Sequence, residues 1–163
     1  MMWTVEKTLL LMFIGTSACI LGPAFYRRWS ERLHEGRLGR AGLAGMDRMS
    51  GLAFEQAMAG LFRARGWTVE RTPYQGDYGA DLVLKADGVR TVVQLKRWRG
   101  PVGIAAVQQV VAAKALYRAE RSMVVTTAHF TPQAITLARA NDVDLWDRQH
   151  LAREAELRQP RRV

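Results

Sequence analysis

The chain is poor in the residues that staple or coordinate. Its one cysteine, Cys19, excludes an internal disulfide framework and a multi-thiolate zinc site, and suits a reducing compartment. Its three histidines, His34, His129 and His150, are scattered without HxxxH spacing. P-loop and nucleophile-elbow spacings are missing as well, so zinc hydrolase, NTPase and serine hydrolase chemistry lose support and no nucleotide cofactor is expected. Acidic residues are the minority, 15 against 24 Lys and Arg. The net charge of +9 favours a polyanionic partner, either nucleic acid or anionic lipid. No internal repeat interrupts the 163 residues, which suffice for one domain and an appendage. With 48% hydrophobic and 24% charged residues, that domain can bury a core.

The one long charge-free run is Leu9 to Phe25, LLLMFIGTSACILGPAF, close to the shortest length that crosses a bilayer as a helix. Trp3, Tyr26 and Trp29 flank it where interfacial aromatics belong. Only Glu6 and Lys7 precede it, whereas Arg27, Arg28, Arg32, Arg37 and Arg40 follow, so the positive-inside rule puts the N-terminus out and the rest in the cytoplasm of a bacterial inner-membrane protein. A cleaved signal peptide is the rival, with Ser17, Ala18 and Cys19 as its cleavage box. The positive cluster lies on the wrong side of the run for it. A buried core helix would need a polar face that the run lacks. The expected division is an anchor over 1–28, an Arg/Gly-rich linker over 29–49, a catalytic domain over 50–151 and a basic tail over 152–163. Residues 26–50 carry six arginines against three acids, so part of the basicity serves topology and lipid contact.

Ser50 is an N-cap for a helix with Phe54, Ala57, Met58, Leu61 and Phe62 at helical spacing, ended by Gly66. Glu55 borders that stripe, where an acidic residue is most often an ordinary boundary residue. A short strand runs from Trp67 to Thr72, stopped by Pro73. The turn YQGDYG leads into Ala80–Ala86, then Asp87-Gly88, then Val89–Lys96. Asp-Gly between two β-rich runs signals a hairpin, and its two-residue loop sets the register. Counting outward pairs Ala86 with Val89, Leu84 with Thr91, Leu82 with Val93 and Asp81 with Gln94. Lys96 shares the face of Gln94, while Leu82, Leu84, Val93 and Leu95 take the other. A carboxylate, an amide and an ammonium group thus converge at one end of the hairpin. Counting alone leaves open whether they form a site or a solvated strand end.

After the basic loop Arg97-Trp98-Arg99, an amphipathic helix with Ile104, Val107, Val111, Ala115 and Leu116 reaches about Arg118. A buried strand spans Ser122–Thr127. Thr131-Pro132 starts a helix ending near Asn141, and Val143–Trp146 is a last strand, the tail extending a terminal helix beyond Leu151. The order α-β-β-β-α-β-α-β implies an α/β fold whose mixed β-sheet, flanked by helices, joins an antiparallel hairpin to parallel crossover strands.

The segments FEQAMAGLFRARGWTVE, GDYGADLVL, VVQLKRW and VVTTAHFTPQAITLA together resemble the catalytic domain of Mrr-type restriction endonucleases, in the PD-(D/E)xK nuclease superfamily. The resemblance runs from Phe54 to Leu151 and implies a restriction-endonuclease-like sheet. It makes Asp81 the metal-binding aspartate, Glu55 a helix-borne acid at the metal, Gln94 the stand-in for a commoner acidic residue and Lys96 the catalytic lysine. Asp81, Glu55 and the Gln94 side-chain or Leu95 backbone carbonyl can then supply the oxygen ligands that Mg²⁺, or Mn²⁺ in its place, prefers. Arg97, Trp98 and Arg99 become candidates for phosphate contact and stacking, their alternative being a solvated loop with a packed Trp. Asp77 is expected to shape the glycine turn. Gln108 is a further candidate for the site. Such a domain implies a Mg²⁺-dependent DNA endonuclease, and the apolar run before it makes that enzyme membrane-anchored. The resemblance allows a homodimer, since two strands need two sites, although no coiled coil or other association signal is present. Membrane segment and linker occupy the space in which such enzymes usually carry a DNA-recognition domain, which leaves three expectations open: cutting with little sequence preference, action through a partner, or handling of DNA near the inner membrane during uptake or defence. A non-catalytic, membrane-tethered DNA-binding module on the same fold, and a junction- or RNA-directed nuclease, are the alternatives.

Overall fold

The computed structural model describes residues 45–72 and 78–156, so the expected membrane segment, most of the linker, Asp77 and the end of the tail lie outside the described residues. Among the described residues no helix is long and apolar enough to cross a membrane. The elements are α1 (Gly51–Arg63), β1 (Thr68–Arg71), β2 (Leu82–Ala86), β3 (Val89–Lys96), α2 (Ile104–Leu116), β4 (Arg121–Thr126), α3 (Pro132–Ala140), β5 (Val143–Trp146) and α4 (Arg148–Glu156). They follow the predicted order, with α4 added at the end. The five strands form one sheet in the order β1-β2-β3-β4-β5. The β1–β2 and β2–β3 pairs are antiparallel, and β3–β4 and β4–β5 are parallel, each parallel step made by a helical crossover.

Local chemistry sets the element ends. The Ser50 side chain accepts from the Ala53 N–H at 3.2 Å and the Thr131 hydroxyl from the Ala134 N–H at 3.2 Å, each filling an orphan donor of a helix start. Between β2 and β3, Asp87 and Gly88 both have positive φ, 50° and 81°, the two-residue turn whose twist matches that of the strands. It fixes the pairing from Ala86↔Val89 to Leu82↔Val93, as counted from the sequence.

Strand alternation divides the apolar residues into two cores. Leu82, Leu84, Val93, Leu95, Met123 and Val125 pack under Phe54, Met58, Leu61 and Phe62 of α1 and Leu151 of α4. Val83, Val92, Val124 and Val143 pack under Val107, Val110 and Ala113 of α2 and Ala134 and Ala138 of α3. Two expectations change here. Met46, almost fully buried, and the partly buried Met49 join the first core, so the last residues of the expected linker rest on the domain. In α2 the buried residues are Ala106, Val107, Val110 and Ala113, whereas Ile104 and Leu116 are exposed. Small alanines let α2 lie close to the sheet; of the residues that the spacing singles out, Val107 is buried and Val111 partly so, while the helix face turns away from Ile104 and Leu116.

Candidate active site

The carboxyl end of β3 holds the site, and a bulge shapes it. Leu82 pairs with Val93, and the Asp81 N–H also reaches the Val93 carbonyl, at 2.8 Å. Two residues therefore address one, and Asp81 leaves the ladder position opposite Gln94 that simple counting assigns to it. From the other side, the Asp81 carbonyl accepts from the Thr72 N–H at 3.2 Å, and the Thr72 hydroxyl donates to the Ala80 carbonyl at 2.5 Å. With its backbone held by β3 and by the end of β1, the Asp81 side chain lies along β3. Its Oδ2 accepts from the Leu95 N–H at 2.6 Å and from Gln94 Nε2 at 2.5 Å.

Residues 89, 91 and 93 face β2, so strand alternation turns the N–H and carbonyl of Leu95 to the same edge, past the point where β2 ends. Lys96 turns its carbonyl the other way, to the Thr126 hydroxyl at 2.8 Å. Gln94 is 4% exposed, a buried amide held by Asp81, and the Lys96 ammonium stands 6.0 Å from the centroid of the Trp98 ring. Asp81, Gln94, Leu95, Lys96, Arg97 and Trp98 line one open pocket of about 390 Å³, together with Gly51, Gly79 and Gln109.

Glu55 is placed differently. Gly51, one turn earlier on α1, lines the pocket, but the Glu55 carboxylate accepts from Arg71 Nη2 at 3.1 Å and is not among the walls. Arg71 pairs with Leu82 next to Asp81, so the ion pair lies beside the site rather than in it. Gln109, not Gln108, reaches the pocket. At 100° per residue Gln109 borders the buried face of Ala106, Val110 and Ala113, whereas Gln108 lies nearly opposite. The rotated helix face explains why spacing missed it. Gly79 is a second residue that counting passed over: its φ is +85°, and a β-carbon there would fall 2.5 Å from Gln109 Cβ, so α2 and the glycine turn meet in direct contact.

Arg97 lines the pocket and sends Nη1 to the Asp47 carbonyl at 3.4 Å, while its buried Nε has no partner among the described residues. Arg99 lines a neighbouring cleft, and Trp98 belongs to both.

The donor set is oxygen only, which suits a hard divalent cation: the Asp81 carboxylate, the Gln94 side-chain oxygen and the Leu95 carbonyl. One carboxylate stands among them, and no group of three His, Cys, Asp or Glu residues that could hold a metal occurs among the described residues. Hard divalent cations are commonly held by one or two carboxylates with water completing the shell, so a single carboxylate with two neutral oxygens is a sufficient donor set.

A family model described as "Mrr_cat: Restriction endonuclease" matches residues 46–155. Among solved structures, the DNA modification-dependent restriction endonuclease AspBHI is 18% identical with a TM-score of 0.55, over 72% of this chain and 34% of that one. The MspJI restriction endonuclease in complex with a 27-mer oligonucleotide is 22% identical with a TM-score of 0.45, over 86% and 31%. The protein of unknown function AF1548 is 20% identical with a TM-score of 0.48, over 55% and 54%. The chain thus spans about half the length of AF1548 and about a third of the two endonucleases. No curated protein matches. The likeness to AspBHI is one of fold, a mixed sheet between helices. The family match covers two thirds of the sequence and both halves of the pocket, and by it the chain belongs to the Mrr_cat restriction endonuclease family.

Proposed function

We propose that the protein is a metal-dependent endonuclease that hydrolyses DNA phosphodiester bonds, tethered to the inner membrane by residues 9–25 with its N-terminus out and its catalytic domain in the cytoplasm. The observation that carries the catalytic reading is the Asp81 carboxylate held by the Leu95 N–H at 2.6 Å and by Gln94, in one pocket with Lys96. The tether rests on the apolar run and on the arginines that follow it.

Asp81, the Gln94 oxygen and the Leu95 carbonyl would hold Mg²⁺ or Mn²⁺. Bound there, such a cation would supply charge neutralisation at the scissile phosphate and a water of lowered pKa. The Leu95 N–H and Gln94 amide fix the Asp81 carboxylate, so little reorganisation is needed when substrate arrives. Lys96 sets a positive charge against the non-bridging oxygens, where negative charge builds up during attack. Trp98 and Arg97 border the same pocket, offering an aromatic face and a guanidinium to the adjoining nucleotide. Strand cutting in both halves of a duplex would need two copies of this site, and a homodimer provides them.

The test is cleavage of plasmid, single-stranded, branched and RNA substrates by the full chain in detergent, with Mg²⁺, Mn²⁺ or EDTA. Nicking that needs metal and is lost in Lys96→Ala and Asp81→Ala, with melting unchanged, supports the proposal. Absence of cleavage under every metal would reject it.

The Glu55–Arg71 ion pair favours one competing reading, a non-catalytic DNA-binding module, because it withholds the second acid from the pocket. Salt-sensitive DNA binding without cleavage would select it.

A further inference from the structure

Beside the catalytic pocket lies a larger open cleft of about 550 Å³ that the proposed chemistry does not use. Asp47, Arg48, Trp98, Arg99, Thr127, Ala128, His129 and Arg148 line it. We infer that this cleft seats the backbone phosphate of a nucleotide next to the scissile one, on Arg48 and Arg99, with that nucleotide's base or sugar against the Trp98 ring. The inference rests on the nucleic-acid reading above and extends it to a second phosphate.

Charge is the first support. Arg148 closes on Asp47 with two bonds, at 2.6 and 2.7 Å, which cancels the one acid in the lining. Arg48 and Arg99 make no ion pair among the described residues, although the Arg99 charge also acts on Asp47, and they give the cleft two guanidiniums, which suit phosphate bidentately. An acidic side chain that could repel a strand is absent from the rest of the lining.

Preorganisation is the second. The floor is tied together before any ligand arrives: Arg148 Nη1 donates to the Thr127 carbonyl at 3.1 Å, the Arg148 N–H to the Ala128 carbonyl at 2.9 Å, and the Thr127 hydroxyl to the Trp98 carbonyl at 3.0 Å. The Val102 N–H holds the His129 carbonyl at 2.8 Å. The floor thus needs no ordering on binding, and the entropy cost falls on the exposed Arg48 and Arg99 side chains alone.

Continuity is the third. Trp98, 55% exposed, is the wall shared by both cavities, so a strand leaving the Lys96 side crosses its face to enter the cleft. Stacking on an aromatic face tolerates any base, which agrees with a domain that grips backbone.

The test uses the full chain in detergent with EDTA, so that nothing is cut, and measures anisotropy of a labelled single-stranded oligonucleotide across a salt series. Arg48→Ala should flatten the slope of log affinity against log salt by about 0.7, the value of one lost phosphate contact on a single strand, and Arg48→Lys should restore it. Arg99→Ala should do the same, and a 2-aminopurine base quenched by the wild type should stay bright with Trp98→Ala. An unchanged slope in the exposed Arg48→Ala variant would overturn the inference, whatever happens to the other variants. Cleavage is scored separately. A flattened slope in a chain that never cuts DNA would keep the cleft and reject the nuclease, and an unchanged slope in a chain that cuts would do the reverse.

Discussion

Arg148 grips Asp47 with both of its terminal nitrogens, at 2.6 and 2.7 Å, across a separation of 101 residues. The pair ties the segment before α1 to the first turn of α4. Hydrogen bonds from Arg148 hold the Asp47 carboxyl below the ordinary aspartate range, and the same pairing raises the Arg148 guanidinium. A carboxylate depressed in the folded state stabilises above its unfolded pKa and stops doing so as pH falls through the folded value. The pair is more than 40% exposed at both partners, so its worth is within about 1 kcal/mol. Thermal unfolding at pH 6 and pH 3 should show Asp47→Asn losing a little stability at the higher pH and less at the lower. Equal losses at both would disprove the assignment.

His150 stacks on Trp146 at 4.3 Å with an interplanar angle of 18°, and burial there pushes its pKa below the ordinary imidazole value, against the attraction of Glu154 and Asp147 and with help from Arg153 and Arg65. The neutral ring is the one that fits. Stability from this contact is therefore complete above about pH 6.5 and falls as pH drops through the folded value. His150→Phe should leave unfolding less dependent on pH between 7.5 and 5. An NMR titration that finds His150 at or above the ordinary value would contradict the burial argument.

Gly79 combines φ of +85° with a contact that leaves no room for a β-carbon. Gly79→Ala should destabilise by about 1–3 kcal/mol and disturb the pocket next to Gln109. Because the obstructing atom is Gln109 Cβ, adding Gln109→Ala should not restore stability, and a full rescue by it in calorimetry would show the wrong atom to be at fault.

The turn at Asp87 and Gly88 offers a control far from the site. Asp87 carries φ of 50°, a conformation that Asn adopts readily in two-residue hairpins, so Asp87→Asn should leave stability unchanged or raise it by a few tenths of a kcal/mol, whereas Gly88→Ala should lower it by about 1 kcal/mol. Denaturant midpoints would read both. Loss of stability with Asn would mean that the aspartate makes a contact its geometry does not require.

Gln94→Glu would set a second carboxylate against Asp81 at a position only 4% exposed. Two like charges this close, one of them buried, oppose one another unless a cation neutralises them. The variant should melt lower than wild type in EDTA and recover with Mn²⁺, gaining affinity for that ion in titration calorimetry. A metal-independent loss would show that the two side chains do not share a cation position.

What the linear chain determined is what neighbours in sequence can settle. Ser50 and Thr131 cap the first and third helices, and Asp87-Gly88 fixes five strand pairs, because a two-residue loop permits one register. The identities of Asp81, Gln94 and Lys96 and their common strand end were legible for the same reason. Tertiary structure decided the remainder. Asp81 leaves the ladder because Thr72, Val93 and Leu95 claim its backbone and carboxylate from both sides, and a bulge of that kind has no mark in the local pattern. Glu55 turns to Arg71 because β1 brings a guanidinium to it. Gln109 replaces Gln108 because alanines let α2 settle on the sheet at an angle that hydrophobic size did not foretell, and the Arg48 and Arg99 cleft exists because residues 47 and 148 meet. Each depends on contacts between elements far apart in the chain, whose partners only packing selects.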